Sequence, residues 1–258
     1  VFIPLAFVFI KAAGAAGLAA LLASLALWAG LLALVLYFNA DIVRRATGAV
    51  PLEDGLHPRL GSAAEDMAIV SGQEAPRLMI VDDRAANAFS MVSYRRMQPV
   101  VFCTEGMATK LDVDEIRAVM AHEMAHALRE HGRERAAKSA IAQGVTMGAS
   151  VLSQLLGYGD LGGFLAQTGA KFTMLAFSRE DETEADLVGM DLAARAGYVP
   201  AAGVTLWQKM MAASKGSPPE FLSTHPAGET RIKDIQAKLR EAEISAPAVA
   251  PVKDAPLP

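Results

Sequence analysis

Hydrophobic and polar positions change rhythm several times along this chain, and each rhythm predicts an element. Over the first 38 residues, mostly apolar, the sole charge is Lys11. As a single helix they would be about 57 Å long, nearly twice a hydrocarbon core of about 30 Å. We therefore expect a retained membrane element at 1–38, either one span over about 18–38 or a hairpin of two spans breaking near 14–17. A cleavable signal peptide fits less well, because the run is too long for an h-region and no clear small-residue cleavage site follows it. Arg44 and Arg45 come directly after the span, and the bias of basic residues toward the cytoplasmic face then puts the rest of the chain on that side.

Beyond a juxtamembrane linker at 39–59 the pattern becomes that of a folded domain. Residues 57–72 read as a helix, while 77–82 and 99–103 are short apolar runs with strand character. A long helical run covers 112–135: Asp112 with Glu115 three positions on is a start signal, and Ile116, Val119, Met120, Met124 and Ala127 recur at helical spacing. Residues 139–177 carry only Asp160 and Lys171. A second membrane hairpin is one reading there, but Gln143, Thr146, Ser150, Ser153, Gln154, Gln167 and Thr168 would be costly against lipid. A helical pair packed on the domain is the expectation. A charged amphipathic helix follows at 232–243, and the Ala/Pro-rich end of the chain is expected to be disordered.

Composition narrows the function classes. Hydrophobic residues make up 52% of 258, and the formal net charge is −4, which leaves no electrostatic footprint for nucleic acid. The length suits one catalytic domain plus a membrane element. Cys103 is the only cysteine, so no intrachain disulfide is possible. In its apolar run it reads as a small buried hydrophobe.

The chemistry is concentrated in His122-Glu123-Met124-Ala125-His126, inside the helical run. Positions i and i+4 share a helix face, so both imidazoles reach one zinc ion while Glu123 is placed to act as general base for metal-assisted hydrolysis. A catalytic zinc needs a third protein ligand. The extension that supplies a further Gly and His after the motif fails, because those positions hold Arg129 and Gly132. The alternative is a carboxylate from a second helix, and Ser178 with Asp181 marks a helix start just ahead of suitable candidates. Glu182 and Asp186 share a face by their spacing, whereas Glu184 points away from it. Glu182 is therefore expected to bind the metal and Asp186 to orient a ligand histidine. His225, in a loop before Pro226, is placed to reach the metal or the oxyanion. Arg231 either hydrogen-bonds the oxyanion or pairs with an acidic neighbour. His57 and His131 read as solvated, His57 in a loop before a proline and His131 on a face away from His122.

Taken in order, Asn87-Ala88-Phe89, Thr104-Glu105-Gly106, the His122 to His126 motif, Ser178-Arg179 with Glu182-Thr183-Glu184-Ala185-Asp186, and Ser223-Thr224-His225-Pro226 resemble the HtpX-like zinc metalloendopeptidases, relatives of the CAAX prenyl proteases. The resemblance covers about 60–239. It implies a peptidase in which Glu182 is a zinc ligand, in agreement with the helix-face argument. One departure is visible: after Phe89 the family usually has a glycine-containing turn, and here the chain reads Ser90-Met91-Val92-Ser93-Tyr94-Arg95-Arg96. That bears on the shape of the substrate-binding edge.

The expectation from sequence is an α+β fold, mainly α: a zincin-type catalytic domain at 60–240 with a small sheet beside the active-site helix, an N-terminal transmembrane helix or hairpin, and a disordered tail at 241–258. It would hold one Zn2+ per chain through His122, His126 and Glu182, with Glu123, His225 and Arg231 as catalytic groups. Protein or peptide substrates would add to a sheet edge at Asn87, Ala88, Phe89, Val100 and Val101. The lipid bilayer is the other partner, in a bacterial-type inner membrane with the catalytic domain cytoplasmic, or alternatively facing the periplasm. The resemblance implies protein quality control as the role. A non-catalytic zinc-containing membrane scaffold or chaperone is the competing class, and an intact Glu123 argues against it, since a purely structural zinc needs no base.

Overall fold

A computed structural model of the chain describes residues 19, 22–23, 26–135, 137–138, 178–213, 225 and 229–245. The expected helical pair at 139–177, residues 1–18 of the expected membrane element, Pro226 and the tail at 246–258 lie outside them. Helix α1 is Ala26–Tyr37 and α2 is Asn39–Thr47, the two bent by 64° at Phe38. No single described helix is long and apolar enough to cross a membrane. Leu27, Leu31, Leu34, Val35, Tyr37 and Ile42 are all exposed on this bent pair. Gly48 closes α2 in the left-handed conformation that glycine adopts without penalty, returning its N–H to the last turn.

The remainder is mainly helical around one four-stranded sheet. The strands are β1 (Val50–Pro51), β2 (Arg77–Val81), β3 (Ala88–Ser93) and β4 (Gln98–Thr104), in spatial order β1-β2-β4-β3. β4 runs parallel to β2, with Met79 opposite Phe102, and antiparallel to β3, with Phe89 opposite Phe102. Helix α3 (Pro58–Ser71) precedes β2, starting at proline, whose missing N–H costs nothing in a first turn. α4 (Glu105–Lys110) and α5 (Val113–Leu128) follow β4, and the last three helices among the described residues are α6 (Arg179–Arg195), α7 (Ala202–Ala213) and α8 (Glu229–Ser245).

The alternation of side chains along the strands divides the core between two faces. Ile80, Ala88, Val101 and Cys103 face Leu60 and Met67 of α3 and Ile116, Met120 and Met124 of α5. Met79, Val100 and Phe102 face the other way, under Ala40 and Val43 of α2, with the Phe89 ring stacked on Phe102 at 4.8 Å. α2 is thus a layer of the folded domain, where sequence had suggested only a linker.

Two family-like motifs clasp the sheet to the helices. Thr104 caps α4 by accepting from the Met107 N–H, and its hydroxyl lies 2.6 Å from the Ala85 carbonyl and 2.9 Å from the Asn87 N–H. A Cβ on Gly106 would lie 2.2 Å from the Arg84 carbonyl oxygen, so only glycine lets this loop close.

Two sequence expectations need correction, and the departure noted after Phe89 takes a definite shape: β3 runs on through Ser90 to Ser93 at an edge of the sheet, and the turn falls at 94–97. Val100 and Val101, expected at the substrate edge, lie in β4 between β2 and β3 and are fully buried; their main-chain groups are used within the sheet. The helical run 112–135 is not continuous. α5 starts at the Asp112/Glu115 capping box but ends at Leu128, and Glu130 adopts a left-handed φ of 55° that turns the chain back before a new helical turn at 131.

Candidate metal centre

α5 runs through the middle of the fold, with most of its residues buried, and carries His122, Glu123 and His126 into the interior. α6 crosses it closely and contributes Glu182 and Asp186, both buried. Its own capping box, Ser178 with Asp181, fixes where α6 begins and therefore which residues of its first turn face α5. His225, just ahead of α8, and Arg231, in the first turn of α8, close the site from the third side, both buried.

Donor atoms of His122, His126, Glu182 and His225 all lie within 4.8 Å of one another. His122 Nε2 is 3.1 Å from His126 Nε2, 3.5 Å from Glu182 Oε2 and 3.3 Å from His225 Nδ1. Glu182 Oε1 is 3.4 Å from His126 Nε2 and 3.0 Å from His225 Nδ1. Ligand distances of about 2.0–2.1 Å in a zinc tetrahedron put neighbouring donors about 3.3–3.4 Å apart. The observed separations, 3.0–3.5 Å with the Glu182 contacts divided between its two oxygens, are close to those edges. Hydrogen bonds alone do not explain such a cluster, since each ring nitrogen holds one proton at most while several acceptors converge on the same point. The donor set, imidazoles with a carboxylate, fits Zn2+.

The groups behind the donors fix their orientation. Asp186 Oδ1 is 3.1 Å from His122 Nδ1, on the ring edge away from the cluster. Arg231 grips Asp186 through Nε at 2.7 Å and Nη2 at 2.8 Å, and its Nη1 lies 2.6 Å from Glu182 Oε2. Trp207 donates to Asp186 at 3.3 Å and lies under the Arg231 guanidinium, 3.8 Å from ring centroid to carbon. Of the two roles weighed for Arg231, pairing with an acidic neighbour is the arrangement observed. Trp207 carries no motif and was not legible in the sequence.

Electrostatics follow from burial against these partners. Burial alone would strip His122 of its proton, yet the hydrogen bonds to Asp186 and Glu182 outweigh it and hold the pKa up at about 9. Burial dominates at His126 and pushes it down to about 4. For Glu182, burial is overcome by the His225 charge and by hydrogen bonds from the histidines, so its carboxyl stays far below the usual range. Asp186 is likewise held low, against burial, by His122 and Arg231.

Glu123 is fully buried, and neither of its carboxylate oxygens accepts a hydrogen bond from the described residues. Its Oε1 lies 3.3 Å from His225 Nε2, so His225 covers both the metal cluster and this glutamate. The backbone of Glu123 is tied to the sheet edge, its carbonyl accepting from Ser90 Oγ at 3.1 Å. Asn87, buried at the start of the same edge, has an amide oxygen with no hydrogen-bond partner among the described residues.

Neither of the remaining histidines is solvated as expected. His57 pairs with Glu105 at 3.1 Å and is largely covered. His131 is buried, with its Nδ1 2.9 Å from His126 Nδ1. Continued as helix, His131 would sit well round the cylinder from His126; the left-handed Glu130 folds it back underneath. Gly132 was the one hint of a helix end nearby. Cys103 sits in the core as expected, and burial pushes its thiol pKa up, away from reactivity.

With the geometry established, comparison with known proteins adds independent information. Residues 56–239 match Peptidase family M48. The chain is 35% identical over 170 residues to the mitochondrial metalloendopeptidase OMA1 of Schizosaccharomyces pombe, covering 65% of this chain and 48% of that protein. It is 32% identical over 168 residues to the protein of the same name from Arabidopsis thaliana, covering 64% of this chain and 32% of the relative. The protease HtpX homolog of Tropheryma whipplei (strain Twist) is 30% identical over 206 residues, covering 71% of this chain and 70% of the relative. The match thus spans less than half the length of either OMA1 relative.

Proposed function

The chain belongs to peptidase family M48, a zinc metalloprotease family, and on that premise we propose that it is a membrane-anchored zinc endopeptidase acting on extended segments of protein substrates. The observation that carries this reading is the convergence of His122, His126 and Glu182 donors at zinc-ligand spacing next to a buried carboxylate, Glu123, that accepts no hydrogen bond among the described residues. A zinc ion held there would supply Lewis-acid polarisation of the scissile carbonyl and of the attacking water. Glu123 takes the proton of that water and returns it to the leaving amine. Asp186 pairs with His122 at Nδ1, and Arg231 with Trp207 holds Asp186, so Arg231 acts here as a positioning residue.

Substrate approach is assigned to β3. It is the edge of the sheet bonded to the Glu123 backbone, through Ser90, and an extended peptide can add to it by main-chain hydrogen bonds. Asn87, Ala88 and Phe89 begin that edge. Anchoring rests on the apolar 1–38 stretch and the exposed apolar side chains of α1 and α2, with Arg44 and Arg45 assigning the catalytic domain to the cytoplasmic side of a bacterial-type inner membrane. Removal of misfolded membrane or envelope proteins is the role that the family resemblance supports.

One observation favours the competing reading of a closed structural zinc: His225 Nδ1 supplies a fourth donor, as structural sites have. We assign His225 instead to a latent resting state, in which its loop position lets it withdraw and open the site to substrate. Zinc-dependent cleavage of an unfolded protein such as casein, compared between the native chain and Glu123→Gln, tests the proposal. A structural zinc centre would give no cleavage from either.

A further inference from the structure

His126 presents Nε2 to the cluster, and its other nitrogen faces a second histidine. His131 Nδ1 lies 2.9 Å from His126 Nδ1, the rings standing 74° apart with centroids 5.0 Å from each other. On its far side, His131 Nε2 is 3.3 Å from Glu184 Oε2, and Glu184 Oε1 forms an ion pair with Arg129 Nε at 2.9 Å. His131 itself is 4% exposed.

Proton bookkeeping fixes the direction of this chain. A neutral imidazole that gives the Nε2 lone pair to a metal must carry its proton on Nδ1. His126 Nδ1–H is then a donor, and at 2.9 Å the only role left for His131 Nδ1 is acceptor. The His131 proton therefore sits on Nε2, which points it at the Glu184 carboxylate, and Arg129 holds that carboxylate in place. Each member determines the protonated nitrogen of the next.

We propose that His131 is the positioning residue for the ligand His126, fixing its tautomer and ring plane, with Glu184 and Arg129 in turn fixing His131. The inference rests on the zinc reading of the centre. The two metal histidines would then be oriented by different chemistry: His122 by a buried carboxylate directly, His126 by a neutral imidazole backed by a half-exposed carboxylate. The device depends on the left-handed Glu130, which ends α5 and returns the chain beneath His126.

The test compares zinc affinity, by competition with a chelator, in the full-length native chain, His131→Leu and His131→Asn, each with thermal melting of the zinc-stripped form. Asn places its amide oxygen where His131 Nδ1 lies, so it keeps the acceptor; Leu removes it. His131→Leu should bind zinc on the order of 10- to 100-fold more weakly, with His131→Asn back to within a few-fold of the native chain. Native-like affinity in His131→Leu, or equal loss in both variants, would overturn the proposal while leaving the zinc centre standing. A native chain that takes up no zinc would overturn both. Nitrogen-15 NMR of the zinc-loaded native chain gives a reading independent of any variant's folding: the Nε2–H tautomer is expected at His131, and the Nδ1–H tautomer there would contradict the assignment.

Discussion

Gly189 of α6 packs on the backbone of His122 so closely that a Cβ at position 189 would lie 3.1 Å from the His122 nitrogen. It would also lie 3.2 Å from the Ala121 carbonyl carbon and oxygen. This contact sets the distance between the helix that carries two histidines and the one that carries Glu182 and Asp186. Gly189→Ala gains helix propensity but forces two backbones apart. We expect a net loss of about 1–3 kcal/mol in stability, as for overpacking elsewhere, together with weaker zinc binding. Calorimetric unfolding and chelator competition on the same variant check both halves.

Glu182 and Glu184 are two residues apart on α6 and should separate cleanly. Glu182 is fully buried among the donors, whereas Glu184 is half-exposed and touches His131 and Arg129. Glu182→Ala should lower zinc affinity by more than the roughly 10- to 100-fold typical of losing an outer partner. Glu184→Ala, acting only through His131, should cost far less. Metal content after dialysis against a chelator gives the ranking, and the reverse order would show the wrong carboxylate in the ligand role.

His225 is placed to restrain turnover, since its ring covers both the donor cluster and Glu123. His225→Ala should raise casein cleavage and self-cleavage while zinc content stays unchanged. A fall in activity on the order of 10²-fold with zinc retained would instead mark His225 as an oxyanion donor. Loss of zinc together with absent activity would favour the closed structural centre.

The proposed topology rests on Arg44 and Arg45 beside the apolar N-terminal stretch. A reporter fused after Leu239 should behave as cytoplasmic when the chain is made in a bacterium. A periplasmic signal would reverse the orientation and make an envelope-facing protease the better description.

The parts of the fold that obey local rules were legible in the sequence. The Asp112/Glu115 and Ser178/Asp181 boxes named the starts of α5 and α6, and the helix starting at Pro58 and the strand at Arg77 came from periodicity and punctuation. What was missed depends on chain reversal or on pairing between distant segments. β3 was not predicted as a strand because Ser90 and Ser93 weaken its strand signal, and its pairing with β4 makes it an edge. His131 was misplaced because one left-handed residue, Glu130, breaks a periodic run. Trp207 reaches Asp186 from another helix, and nothing in its own neighbourhood announces that contact.

The central claim is that Glu123 is the proton carrier of a zinc peptidase, and Glu123→Gln tests it most directly. The amide keeps the size and shape of the side chain but cannot take the proton, so zinc content and melting should match the native chain. Casein hydrolysis by the zinc-loaded variant should fall on the order of 10²- to 10⁴-fold. Substantial residual hydrolysis, with zinc still bound one to one, would contradict the assignment of Glu123 as the base.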